Sequence, residues 1–259
     1  MTSSSNENIH QKIRNEFPYD VKKLTEVSIP IDKNIKLAAT IWMPQNKNVQ
    51  LINEEKFATI LEYIQYRKAD WTSARDEIRL KYFSGFGYVS LRVDIRGTGN
   101  SQGIFDDEYS EQELSDGLKI LEWIQNQTWS NGKTIIYGKS WAGFNGLQIG
   151  PWGHQWPDDA YPGPQIGFLQ EIVQWLDYHI KKINHDYENK ELFSIFKLKP
   201  NIDELHSILE EKKGNWIHFK SLPFYPNEHF QRNHLLIDTN QEINQKTIKI
   251  LFIFSIVNN

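Results

Sequence analysis

The chain contains no cysteine, which removes both a disulfide framework and any thiolate metal site. It also lacks an apolar run long enough to cross a membrane. The strongly apolar stretch Ile250–Val257 spans eight residues, against the roughly twenty that a membrane helix requires, so it reads as a strand. Long runs of like charge are absent too. Lys and Arg number 29 against 33 Asp and Glu, a net charge of −4, and that mildly acidic balance argues against nucleic acid as a partner. The opening residues, Met1–Phe17, are polar and do not show the apolar core of a signal peptide, so the cytoplasm is the expected compartment. What the chain does have is a core. Apolar residues make up 39% and aromatics 13% of 259 residues, enough for one α/β domain of ordinary size or a smaller domain with an appendage.

The stretch KTIIYGKSWAGFNG, Lys133–Gly146, organises the rest. A short apolar run up to Tyr137 breaks at Gly138, presents Ser140, and resumes in small and apolar residues that can start a helix. Gly138-Lys139-Ser140-Trp141-Ala142-Gly143 is read as the G-x-S-x-G nucleophile elbow with one residue more before its second glycine; in such an elbow a sharp strand-to-helix turn holds a serine hydroxyl proud of a sheet. The glycines are needed because the flanking backbones approach too closely for a Cβ. The helix start adds free N–H groups and a positive dipole end for a developing oxyanion. Such a glycine–serine pattern also arises by chance, and a serine in such a turn also serves as a helix cap.

Around this stretch the chain alternates. Val27–Ile29 and Ile35–Met43 read as a hairpin around Asp32-Lys33-Asn34, after a tail over residues 1–20. Phe57–Tyr63 reads as a strand covered on both faces, followed by a loop at Gln65–Lys68. Trp71–Phe83 carries a helical pattern through Ala74, Ile78, Leu80 and Phe83, and Gly87–Ile95 is another strand. Ser110-Glu111-Gln112-Glu113 is a capping box, and the helix behind it is expected to bury Leu114, Leu118, Leu121 and Trp123. Strand, helix, strand, helix, strand implies parallel strands with right-handed crossovers. Further on, Pro164 suits the first turn of a helix that presents Phe168, Ile172, Trp175, Leu176, Ile180 and Ile183 on one face. Residues 184–213 are polar, with a helical candidate at Asp203–Glu211, and from Asn215 the chain turns aromatic and β-rich.

Two temptations fail. The loop Arg96–Gly103 is glycine-rich, but its spacing is not the dinucleotide fingerprint and no helix opens directly behind it, so a tight turn fixed by Asp94 and Arg96 is expected rather than a nucleotide site. Asp106, Asp107 and Glu108 read as a solvated loop with helix-start charge. His179, His185, His206, His218, His229 and His234 lack the paired spacing with acidic partners that a metal site needs, and no metal or organic cofactor is implied.

Five segments together resemble one family, the CocE/NonD group of α/β-hydrolases, which includes cocaine esterase and the X-prolyl dipeptidyl-peptidases. They are LEYIQYRKAD, VDIRGTGNSQG, DEYSEQELSDGLKILEWIQNQTWSNGK, YGKSWAGFNGLQ and IGPWGHQWPDDAYPGPQIGFLQEIVQWLDYHIKK, in the family's order over roughly 57–182. The resemblance implies a nucleophile at Ser140 and a general base at His154. It also implies oxyanion donors at the Trp141 backbone N–H and the Tyr66 hydroxyl. Outside the resemblance, His154 reads first as a packed loop residue and Tyr66 as a core or surface tyrosine. Trp216–Pro226 is similar to the opening of the family's C-terminal jelly roll. The implied fold is α/β: an incomplete α/β-hydrolase sheet with flanking helices over 21–190, then a linker and partial β domain over 191–259. The implied substrate is a small molecule or peptide, and no oligomeric state is implied.

One departure from the family is large. In an α/β-hydrolase the triad acid lies between serine and histidine. Here Ser140 and His154 are 14 positions apart, and residues 141–153 contain neither Asp nor Glu. At about 30 residues per unit, at least two missing strand–helix units amount to at least ~60 residues, and in the family the same section also holds the cap, so the later strands, the cap and the acid are expected to be missing at the 148/149 junction. A helix over 141–148 would carry the chain about 12 Å from the elbow. Ile149–Gly153 returns at most about 17 Å when fully extended, so His154 reaches Ser140 only if that helix is unwound or cut short. Two expectations follow: a serine acyl hydrolase, or a shortened form that keeps part of the fold without the chemistry.

Overall fold

The sheet begins in the hairpin β1 (Tyr19–Pro30) and β2 (Lys36–Asn46), antiparallel over their length. The structure, a computed structural model, describes residues 14, 16–47, 55–107, 109–138, 148–149, 155–161, 163–189, 193–198 and 214–219. The Asp32 carboxylate closes the hairpin turn by accepting the N–H groups of Asn34 at 2.8 Å and Ile35 at 2.9 Å. Anchored chain starts earlier than the tail expected over 1–20. Arg14 pairs with Asp177 at 3.2 Å, and the Phe17 ring sits 5.2 Å from that of Phe86. Residues 1–13 lie outside the described residues.

Strands β3 (Phe57–Ile64), β4 (Val89–Asp94) and β5 (Ser130–Ile136) complete a five-stranded sheet in the order β1-β2-β4-β3-β5. β3 runs parallel to both β4 and β5, while β2 meets β4 antiparallel. Side chains alternate across the sheet, so each strand divides its residues between two cores. Leu37, Ala39, Ile41, Leu61, Val89, Leu91 and Val93 face helix α2 (Glu111–Gln125), which buries Ile120 and Ile124 among them. Trp42, Ala58, Ile60, Tyr88, Ile135 and Tyr137 face helices α1 (Ser73–Gly85) and α3 (Phe168–Leu176).

Both central helices depart in part from the hydrophobic pattern: Leu80 and Phe83 of α1 are buried as expected, while other expected core positions turn outward. Ile78 is 69% exposed and Leu114 67%, with Ala74 and Leu118 also turned outward. The buried faces carry Asp76 and Arg79 in α1 and Asp116 in α2. Each of these charges has a partner: Asp76 takes the buried Arg92 at 3.1 Å, Asp116 takes the partly buried Arg96 at 2.7 Å, and Arg79 takes Asp158 at 2.8 Å. An apolar count assigns such residues to solvent and so turns the helix the wrong way. Leu121 and Trp123 do pack, partly buried, against the α2 core. The capping box forms in altered style. The Ser110 hydroxyl accepts the Glu113 N–H at 3.2 Å, and the Glu113 carboxylate accepts the N–H of Tyr109 rather than of Ser110, at 3.1 Å.

α3 starts at Phe168, four residues after Pro164, because the Ile166 N–H is bonded to the Pro157 carbonyl at 3.0 Å and closes a loop there. It buries Phe168, Ile172, Val173 and Leu176 and runs into a π-helical turn, Asp177–Lys181. That turn ends at Lys182 in the left-handed region, so Ile183 lies beyond it and is 44% exposed.

A second sheet of three strands joins β6 (Gln148–Ile149), β7 (Phe193–Leu198) and β8 (Gly214–Phe219). β6 pairs parallel with β7 at Gln148↔Ser194 and Ile149↔Ile195, so the helix expected over 141–148 does not extend to Gln148. β7 falls in the stretch read as polar linker. The helical candidate at Asp203–Glu211 and the apolar run Ile250–Val257 lie outside the described residues.

Candidate active site

Parallel strands end on one edge of a sheet, and the loops leaving that edge are where α/β folds place their chemistry. Here β4, β3 and β5 lie side by side, so the loop after β3 sits between the loop after β4 and the chain leaving β5. The β5 ladder is continued by Tyr137, whose N–H is bonded to the Leu61 carbonyl at 2.8 Å. Gly138 follows, buried. Tyr66 stands two residues beyond β3, half-buried, its ring 6.5 Å from that of Trp71. Among the described residues no hydrogen bond from its hydroxyl is found. Of the expected site residues, the structure thus places Tyr66 and Gly138, both just past the carboxyl ends of neighbouring strands. Ser140, Trp141, Gly143 and His154 lie outside the described residues.

The loop after β4 is the tight turn that its residue types imply. The Asp94 carboxylate accepts the Asn100 N–H at 3.2 Å, and Arg96 grips Asp116 through two bonds of 2.7 Å. Gly99 has φ +53°, and a Cβ there would stand 2.1 Å from Asp94 Oδ2, so only glycine fits.

Beneath these loops lies a charge cluster absent from the sequence-based expectations. Glu62 of β3 and Arg92 of β4 are register partners, and both are fully buried on the α1 side of the sheet. Arg92 Nε reaches Asp76 Oδ2 at 3.1 Å and Glu62 Oε2 at 3.4 Å, while its Nη1 donates to the Ile64 carbonyl at 3.1 Å. Arg75 completes a quartet of two acids and two bases, donating to Glu62 at 3.0 Å and to Asp76 at 2.9 Å. The signal was present: one acid inside the apolar run FATILEYI and one base inside VSLRVD. Lone charges in doubly covered strands are almost never buried unless paired.

Burial pushes the Glu62 carboxyl up to about 7, with Arg92 and Arg75 pulling it back and Asp76 adding to the rise. The folded chain therefore holds a proton that the unfolded chain releases near the ordinary value of 4.5. That contribution to stability is complete below the ordinary value and lost as pH rises through the folded one. Urea titrations should show the unfolding free energy of wild type falling relative to Glu62→Gln between about pH 5 and pH 8. A rise over that interval would overturn the assignment.

The segment Gln155–Tyr161 is held against the β5 end by a stack. The Trp156 ring lies parallel to that of Tyr137, centroids 5.3 Å apart, with the Arg79 guanidinium 4.6 Å from its centroid. Arg79 in turn pairs with Asp158 at 2.8 Å and Asp159 at 3.0 Å. These are the first carboxylates after His154 in the sequence, and both are engaged by Arg79. Among the described residues no group of three His, Asp or Glu side chains is arranged to hold a metal, and no helix is long and apolar enough to cross a membrane.

A family model for X-Pro dipeptidyl-peptidases of the S15 family matches residues 32–162. A Mycobacterium bovis protein provisionally described as a serine esterase is 40% identical over 70 residues, 27% of this chain and 11% of that protein. A Streptomyces avermitilis protein provisionally described as a Xaa-Pro dipeptidyl-peptidase is 25% identical over 116 residues, 39% of this chain and 16% of the other. The chain thus covers well under a fifth of the length of either relative. The crystal structure of a CocE/NonD family hydrolase from Staphylococcus aureus superposes with a TM-score of 0.52 at 13% identity, over 80% of this chain and 57% of that one. That likeness shows the fold, a partial α/β-hydrolase sheet with flanking helices.

Proposed function

The chain belongs to the X-Pro dipeptidyl-peptidase (S15) family, and from that premise we propose that it is a serine hydrolase cleaving peptide or ester acyl bonds, with Ser140 as nucleophile and His154 as base. The observation that carries this reading is the juxtaposition of two strand ends. β5 delivers Tyr137 and Gly138 beside the β3 loop that bears Tyr66, on the carboxyl edge of a parallel sheet. In the proposed reaction Ser140 Oγ attacks the acyl carbon as His154 takes its proton. The oxyanion is stabilised by the Tyr66 hydroxyl and the Trp141 N–H. His154 then returns the proton to the departing amine or alcohol, leaving an acyl-serine that water hydrolyses.

A fluorophosphonate probe tests this directly. The reading expects covalent labelling at Ser140, mapped by peptide mass spectrometry and abolished in Ser140→Ala. A second reading, a shortened form without activity, is favoured by one specific observation: no carboxylate lies in residues 141–153, and Asp158 and Asp159 are committed to Arg79. A cooperatively folded sample that takes up no probe supports the second reading and sinks the first.

A further inference from the structure

We infer that Thr72 and Asp94 are positioning residues for Tyr66, fixing the backbone on either side of it so that its hydroxyl meets the oxyanion; the inference rests on the serine-hydrolase reading above. Thr72 occupies the N-cap position of α1, where a threonine hydroxyl ordinarily accepts an N–H from the first helical turn. Here it makes no such bond. The hydroxyl points back upstream instead, donating to the Tyr66 carbonyl at 3.1 Å, with the Arg67 carbonyl at 3.4 Å as a second acceptor. Thr72 is buried at 2% exposure, so solvent does not compete for that bond. The helix gives up a cap, and the loop gains a fixed carbonyl.

Asp94 acts from the other side. Its Oδ1 accepts the Lys68 N–H at 2.6 Å, and its Oδ2 accepts the Asn100 N–H, so one buried carboxylate ties the Tyr66 loop to the turn after β4. Between the two ties Arg67 is held at φ +45°, a left-handed conformation that a non-glycine residue adopts only where its surroundings over-determine it. Three consecutive residues are thus fastened by a hydroxyl, a strained backbone and a carboxylate. An oxyanion donor needs that rigidity, because a displacement of about 1 Å costs on the order of a hundredfold in rate.

The test uses the full chain with 3-fluorotyrosine incorporated, the Tyr66 fluorine resonance being assigned by its loss in Tyr66→Phe. Thr72→Val, which keeps the shape and deletes the donor, is expected to shift and broaden that resonance and to speed exchange of the Lys68 amide; Thr72→Ser restores both. Asp94→Asn is expected to do the same from the other tie, and it serves where Thr72→Val does not fold. Fluorophosphonate capture should slow at least about tenfold in Thr72→Val, and no further when Thr72→Val is added to Tyr66→Phe. Unchanged resonance and amide exchange in these variants would overturn the inference. So would capture as fast as wild type despite a disturbed resonance, or a full additional loss in the Tyr66→Phe background. If the resonance responds while the parent chain takes no probe, the positioning stands and the hydrolase reading falls.

Discussion

Arg92→Met is expected to lower the unfolding free energy by about 3–5 kcal/mol, a large share of the 5–15 kcal/mol that holds a typical domain together. The guanidinium is fully buried between Glu62 and Asp76 and also satisfies the Ile64 carbonyl. Methionine fills much of the same space, so packing is not what is lost. Two carboxylates are left facing each other, with Arg75 as their remaining partner, and Arg75 is itself 22% exposed. Removing an acid together with the base should be milder than removing the base alone. Glu62→Met combined with Arg92→Met is therefore expected to be more stable than Arg92→Met, the signature of a coupled pair rather than of two independent sites. Urea unfolding followed by tryptophan fluorescence reads both. An Arg92→Met variant within about 1 kcal/mol of wild type would show that the quartet carries little net energy.

The strands were legible in the sequence because doubly covered strands leave unbroken apolar runs, and Phe57–Ile64 and Val89–Asp94 fall where such runs predict. Helix faces were legible only in part, Leu80, Phe83, Phe168, Ile172 and Leu176 being buried as their spacing predicts. Ala74, Ile78, Leu114 and Leu118 mark an apolar stripe on paper, yet the sheet receives Asp76, Arg79 and Asp116, whose burial depends on arginines far away in sequence. A periodicity reading has no access to those partners. β7 escaped notice for a related reason: six residues of mixed polarity become a strand through the pairing of β6 and β8 alongside them. In the candidate site, Tyr66 was singled out only through family resemblance. Asp94 was read only as fixing its own turn, and Thr72 was passed over, since nothing local distinguishes a threonine that caps its own helix from one bonded upstream.

Loss of the imidazole is expected to be mild in this chain. In a complete triad taken apart one residue at a time, removing the histidine costs about 2 × 10⁶ in kcat and removing the acid alone about 3 × 10⁴. The effects are not additive, because the acid works only through the ring it orients. A chain that already lacks the acid has already lost the larger part, so His154→Ala should cost it only roughly 10² further. Residues 141–153 offer no carboxylate. Asp158 is drawn to Arg79 at 2.8 Å, and Arg79 is fixed in turn by stacking on Trp156. Single-turnover acylation with an activated aryl ester measures the difference between wild type and His154→Ala. A loss of 10⁵ or more, about what a complete triad shows, would mean that a carboxylate does stand behind the ring, supplied from beyond residues 141–159. A loss near 10² would identify a serine–histidine pair working without its acid.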